Sequence, residues 1–164
     1  MTAQQNRKLF LQWTKSLGTP AWAPSLVFVV YVVALSFSQV YQKYPFLDIP
    51  THFFGGLAMA YFLDKAFINP LLLSHGVSPH RVLKNVLIFT STCSVAVFWE
   101  LAEFALSSLL SIDFQGGLAD TMKDLFFGMS GGLFYVAAVG PTCIASRLLD
   151  RGAVNRLLRP EEYV

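Results

Sequence analysis

Three pairs of ionisable residues stand inside otherwise apolar stretches of this chain: Asp48 and His52 in DIPTHFFGG, Glu100 and Glu103 in WELAE, and Asp120 and Asp124 in ADTMKD. Carboxylate oxygens and an imidazole nitrogen are hard or borderline donors, suited to Zn, Mn, Fe or Mg. The same groups can hold or pass protons. A carboxylate at the centre of a membrane helix costs about 2.5–3.5 kcal/mol on insertion scales, and several together repel. Such a cluster must share protons, take up a cation or face water. A divalent metal ion is the simplest single answer. The expectation is a metal site with His52, Glu100, Glu103 and Asp124 as ligands, and Asp48 and Asp120 as further ligands or as orienters of the first set.

These residues are conspicuous because of what surrounds them. The chain has 164 residues, of which 54% are hydrophobic, 15% aromatic and only 13% charged, with a mean hydropathy of +0.52. This is too apolar for an ordinary soluble domain. It predicts a membrane protein of one domain with no room for a separate soluble catalytic unit. The net charge of +2 is carried on scattered lysines and arginines, which excludes a nucleic-acid surface.

Four apolar segments approach the roughly 20 residues needed to cross the hydrocarbon core. They run over about 22–41, 48–68, 81–110 and 118–149, giving an all-α, polytopic four-helix transmembrane bundle. Pro20 and Pro24 open the first, where a first helical turn tolerates them. Asn69-Pro70 is expected to end the second, and Pro141 beside Gly140 to kink the fourth. The first apolar stretch is longer than the core of a secretory signal, so it reads as a retained span. Residues 1–20, containing KLFLQWTKSLG, suit a cytoplasmic or interfacial N-terminus, and 150–164 a cytoplasmic tail. Arg7, Lys8, Lys15, Lys65, Arg81, Lys84, Arg147, Arg151, Arg156 and Arg159 fall on one side, against Lys43 and Lys123 on the other. The positive-inside rule then puts both termini in the cytoplasm of a bacterial inner membrane.

With that orientation the acids gather on the outer side. Asp48 and His52 open span two, Asp120 and Asp124 open span four, and Glu100 lies sixteen residues beyond Lys84, about 24 Å along a helix. Within each helix the pair shares a face. The faces continue in small residues, Gly56 and Ala60 below His52, Gly128 and Gly132 below Asp124, which lets membrane helices approach closely. Asp48 and Asp120 are also well placed to cap helix N-termini.

Other residues read as ordinary. Lys123 falls on a different face and suits an interfacial anchor, while Asp64 is expected to face headgroups and Lys65. Asp113 and Gln115 belong to an outer loop, and His75 and His80 to an inner one. Cys93 and Cys143 lack metal or disulfide spacing and read as packing residues. Phe53-Phe54 and Phe126-Phe127 read as lipid-facing or packing pairs. No phosphate-binding glycine loop, nucleophile elbow or Cys-x-x-Cys motif is present.

The order D-x-x-x-H-F (Asp48, His52, Phe53), W-E-L-A-E (Trp99–Glu103) and D-x-x-x-D-x-x-x-G (Asp120, Asp124, Gly128) resembles the VanZ-like and YjdF-like small membrane proteins over roughly residues 48–135. VanZ-like proteins tend to carry glutamine and asparagine where Glu103 and Asp124 stand. The acids here resemble the YjdF-like branch more. The resemblance implies a fold and a site rather than a reaction.

The leading expectation is an inner-membrane protein whose outward-facing site binds a metal and acts on or recognises an envelope lipid or another amphipathic substrate. Membrane lipids are the expected partners. Two alternatives belong to other classes. One is an accessory subunit of a larger membrane complex, its polar residues fastening helices and His52 available to a partner's pigment or haem. The other is a proton or ion pathway, for which four helices would assemble as a homo-oligomer.

Overall fold

The structure is a computed structural model. It describes the backbone of residues 14, 17–36, 44–74, 81–110 and 116–158, and the side chains of 14, 17–34, 44, 46–72, 81–110 and 116–138. The regular elements among these residues are all helical. Helix α1 spans Trp22–Ser36, a single 3-10 turn covers Pro45–Leu47, and α2 spans Asp48–Leu63. A π-helical turn, Asp64–Ile68, joins α2 to the short α3, Asn69–Ser74. Two long helices follow, α4 over Arg81–Leu110 and α5 over Leu118–Leu158.

The distribution of side chains is the reverse of a water-soluble core. Its buried apolar members are few and include Ala58, Ala60, Ala66, Ile68 and Ile88, accompanied by the polar Asp64, Thr92, Glu100, Glu103 and Asp124. The large apolar residues lie outside: Val30, Phe98, Leu101, Phe126 and Phe134 are all more than half exposed. In water such a surface would associate or aggregate; in lipid it is solvated. Among the described residues α4 is the one helix both long and apolar enough to cross a membrane, and the apolar stretch Trp22–Ala34 of α1 is shorter.

Small residues set the packing. The most extensive contact is between α2 and α5, followed by α5 with α4, while α1 leans on α2. Where α2 crosses α5, a Cβ on Gly56 would collide with the Gly128 carbonyl, and a Cβ on Gly131 would collide with the Phe53 carbonyl. Backbone meets backbone at both points, so only hydrogen fits. Gly132 faces α4, where a Cβ would come within 2.8 Å of the Thr92 methyl.

Three local features differ from expectation or refine it. The helical path does not end at Asn69-Pro70. Asn69 donates its backbone N–H to the Asp64 carbonyl five residues back, and this π turn shifts the register so that Pro70 enters the first turn of α3. A proline's missing N–H costs little there. Helix α5 runs to Leu158, nine residues past Leu149, and its backbone passes through Gly140 and Pro141 without a break. At its other end Gly117 takes a positive φ of 95°, and its carbonyl accepts the backbone N–H groups of Asp120 and Thr121 at 3.0 and 3.1 Å, which starts the helix. The proposed interfacial stretch 8–18 lies largely outside the described residues, as do Lys43, His75, His80, Asp113, Gln115 and the side chain of Cys143.

Candidate metal site

His52 is the hub of the outer cluster. Its Nε2 lies 3.3 Å from Asp48 Oδ1, one helical turn earlier on α2, and 3.9 Å from Asp124 Oδ1 on α5. Its Nδ1 lies 3.9 Å from Glu100 Oε1 on α4. Three helices therefore deliver the four side chains. The glycine crossing explains why they meet: Gly56 is one turn below His52, Gly128 one turn below Asp124, and these two glycines touch.

Glu100 and Asp124 are only 5% and 4% exposed. Glu100 Oε2 and Asp124 Oδ1 are buried without a hydrogen-bond partner. A buried polar atom left unpaired costs about 1–3 kcal/mol, and more when charged, and two such oxygens beside one imidazole are donor types that suit a divalent ion. Asp48, His52 and Asp124 each present one ligand atom, all within 4.8 Å of one another. Donors bonded at 2.0–2.2 Å around a tetrahedral ion stand about 3.3–3.6 Å apart. Side-chain movement of about an ångström would bring these three onto a common ion.

The other two expected ligands are engaged differently. Glu103 Oε1 accepts hydrogen bonds from the Tyr31 hydroxyl and the Trp99 indole N–H, each at 2.8 Å. Asp120 pairs with Lys123. Lys123 corrects its own expectation: its Nζ also lies 3.5 Å from Asp48 Oδ2 and 3.7 Å from Asp124 Oδ1. Its long stem carries the ammonium round from the neighbouring face. Capping does not account for Asp48 either. Leu47 is the cap of α2 and makes no side-chain cap bond, so the Asp48 carboxylate is committed to His52 and Lys123.

Sequence reasoning missed Tyr31, Lys123 and a second cluster at the other end of α2. Asp64, expected at headgroups, is fully buried. Lys84 Nζ lies 2.8 Å from its Oδ1 and Lys65 Nζ 3.3 Å from its Oδ2. Asn69 Nδ2 donates to Oδ1 at 2.9 Å and the Tyr135 hydroxyl to Oδ2 at 2.8 Å. One carboxylate thus ties the π turn, α3, α4 and α5 together. The signal available for Trp99 was its i,i+4 relation to Glu103. No comparable signal marked Asn69, since residues five apart lie about 140° apart on an α-helix and only the π turn brings it to Asp64.

Comparison with known proteins gives a family without a function. A protein of Thermotoga maritima, known as an uncharacterized protein, is 33% identical over 96 residues, which is 58% of this chain and 48% of that protein. The chain thus spans about half the length of the relative it matches. No solved structure matches. The family described as predicted membrane protein (DUF2238) matches residues 8–143, a stretch holding every residue of both clusters from Tyr31 to Tyr135. The chain is a member of that family of membrane proteins.

Proposed function

We propose that the chain is a multi-pass protein of the bacterial cytoplasmic membrane, with both termini inside, whose outer cluster binds a divalent metal ion and acts on or recognises an envelope lipid or another amphipathic molecule. The observation that carries this reading is the convergence of Asp48, His52 and Asp124 within 4.8 Å beside the unpartnered, buried Glu100 Oε2. Asp48, His52 and Asp124 would hold the ion, with Glu100 as a fourth donor. Glu103 and Asp120, held by Tyr31, Trp99 and Lys123, would set the field around it. Three or four protein ligands leave a coordination position for a substrate oxygen, and a bound metal supplies charge that polarises a phosphoryl or carbonyl group. Trp99 and Tyr31 keep Glu103 oriented, and Lys123 offsets part of the negative charge. The motif order shared with VanZ-like and YjdF-like proteins, closer to the second at Glu103 and Asp124, supports a common site.

The alternative of polar residues as helix fasteners fits Asp64, whose carboxylate oxygens are fully partnered, better than it fits the outer cluster. Elemental analysis by mass spectrometry tests the metal reading, on detergent-purified protein prepared without chelators and on a Glu100→Gln/Asp124→Asn variant. Near-stoichiometric metal in the wild type and its loss in the variant are expected. Metal absent from the wild type, or retained undiminished by the variant, would overturn it.

A further inference from the structure

Beside α1 lie two cavities of similar size and different character. One, of about 620 Å³, is walled by Leu26, Val30, Phe54, Leu57, Tyr61 and Tyr135 among others and meets none of the charged residues. The other, of about 640 Å³, lies between α1, α2 and α4 and reaches His52, Tyr31 and Trp99 at one end. Its remaining wall is largely apolar, with Phe28, Met59, Phe62 and Val95 prominent. Both volumes fall within the roughly 300–1,000 Å³ usual for ligand sites. The second alone joins an apolar slot to the polar cluster.

The slot has a direction. On α2 it runs from Thr51 and His52 down to Phe62, ten residues or about 15 Å beyond His52. On α4 it runs from Trp99 back to Thr92, and on α1 from Tyr31 back to Pro24. Tyr31, Trp99 and His52 gather at one end, since Tyr31 and Trp99 share Glu103 as acceptor. Phe62, Thr92 and Pro24 stand at the other end. The backbones of α1 and α4 stay apart, and their described side chains meet across the outer end through Phe28–Trp99 and Tyr31–Trp99 ring contacts with centroids 6.2 and 5.3 Å apart. A long, narrow apolar volume with polarity at one end is the shape of a single extended hydrocarbon chain lying parallel to the helices.

We infer that this slot binds one acyl or prenyl chain of a single-chain amphiphile whose oxyanion head, a carboxylate or phosphate, reaches the metal site past His52. The inference rests on the metal reading, because Asp48, Glu100 and Asp124 around His52 would repel an oxyanion unless a divalent ion offset most of their charge and offered the head a coordination position. Chain binding is therefore metal-dependent. The cavity walled by Phe54 and Leu57 has no charged residue along its wall.

Photolabelling tests this with a fatty acid carrying a diazirine near the end of its tail, in detergent-purified protein supplied with Mn²⁺ or with chelator. Labelled residues are mapped by mass spectrometry and metal content is read on the same samples. With Mn²⁺ the label is expected on Met59, Phe62 or Val95, falling at least several-fold with chelator and in Val95→Phe and Met59→Phe, which fill the slot. Metal retention in those two variants shows that the fold and the ion site survive. Leu57→Phe, which fills the other cavity, should leave the labelling unchanged. A phosphate-headed single-chain lipid competes where the head is read as an oxyanion, and a neutral monoacylglycerol does not; equal competition by both would overturn the assignment of the head. Label confined to outward residues such as Phe98 and Phe126, or unmoved by filling the slot, would overturn the chain site. Bound metal without slot labelling overturns this inference alone, and slot labelling in protein that binds no metal overturns the metal reading and with it the oxyanion head.

Discussion

Among the described residues, two buried charge clusters sit at opposite ends of α2 and are built on opposite principles. Around Asp64, one carboxylate is met by two ammonium groups, an amide and a phenol, and both its oxygens are partnered. Around His52 the proportions invert: Asp48, Glu100 and Asp124 face one imidazole, with Lys123 at the edge and two buried oxygens left without hydrogen bonds. The first arrangement is complete in itself and holds helices in register. The second is incomplete, and incompleteness in a buried cluster is what a ligand site requires. Buried charge in an apolar protein therefore has two meanings, and the balance of donors and acceptors separates them.

The strongest test of that contrast is stability. Asp64→Ala leaves Lys84 without its partner in a largely buried position and should lower unfolding stability by about 3–5 kcal/mol. Lys65 is nearly half exposed and contributes little to that figure. Asp124→Asn removes one of several mutually repelling acids, so metal-free protein should be no less stable than the wild type. Chemical unfolding in detergent compares the two; equal losses would erase the distinction.

A smaller effect comes from the ligand itself. Mn²⁺ at about a hundred times its dissociation constant should stabilise the wild type by about 2.7 kcal/mol and Asp124→Asn by at most about 1.4 kcal/mol. A similar gain in both proteins would place the ion elsewhere. The glycines linking the two ends give a third comparison, read by the same unfolding measurement. Gly131→Ala drives a methyl into the Phe53 carbonyl and should cost about 1–3 kcal/mol. Gly128→Ala meets the Ala96 methyl at an ordinary 3.5 Å and should be nearly neutral. Tyr31→Phe removes one of two hydrogen bonds to Glu103 and should cost about 1 kcal/mol, with metal content retained.

Much of the outer site was legible because helical geometry is regular. Asp48 and His52 share a face by spacing alone, the small residues below His52 and Asp124 foretold a close crossing, and Gly56 meets Gly128 there. Of the six expected site residues, Asp48, His52, Glu100 and Asp124 come together and two turn to other partners, because depth along a helix is easier to infer than rotation about it. Glu103 turns toward Tyr31 and Trp99, and Asp120 toward Lys123. Lys123 was misplaced because a face assigned from the Cα position ignores a flexible four-carbon stem. The Asp64 cluster was hidden for a different reason. Tyr135 lies eleven residues after Asp124, about 20° around the axis, and so was predictably on the same face of α5. The π turn that bonds Asn69 to Asp64 breaks the periodicity on which such inference depends. The proline after it, usually a stop signal, became a first-turn residue for the same reason.

The most direct test of the distinction between the clusters is a Mn²⁺ titration followed by electron paramagnetic resonance, on wild type, Asp124→Asn and Tyr135→Phe. Tyr135→Phe removes one hydrogen bond to Asp64 and touches nothing at His52. Saturable binding of about one ion per chain in wild type and Tyr135→Phe, with affinity at least tenfold weaker in Asp124→Asn, is the predicted result. Equal binding by all three proteins, or loss in Tyr135→Phe with retention in Asp124→Asn, would contradict it.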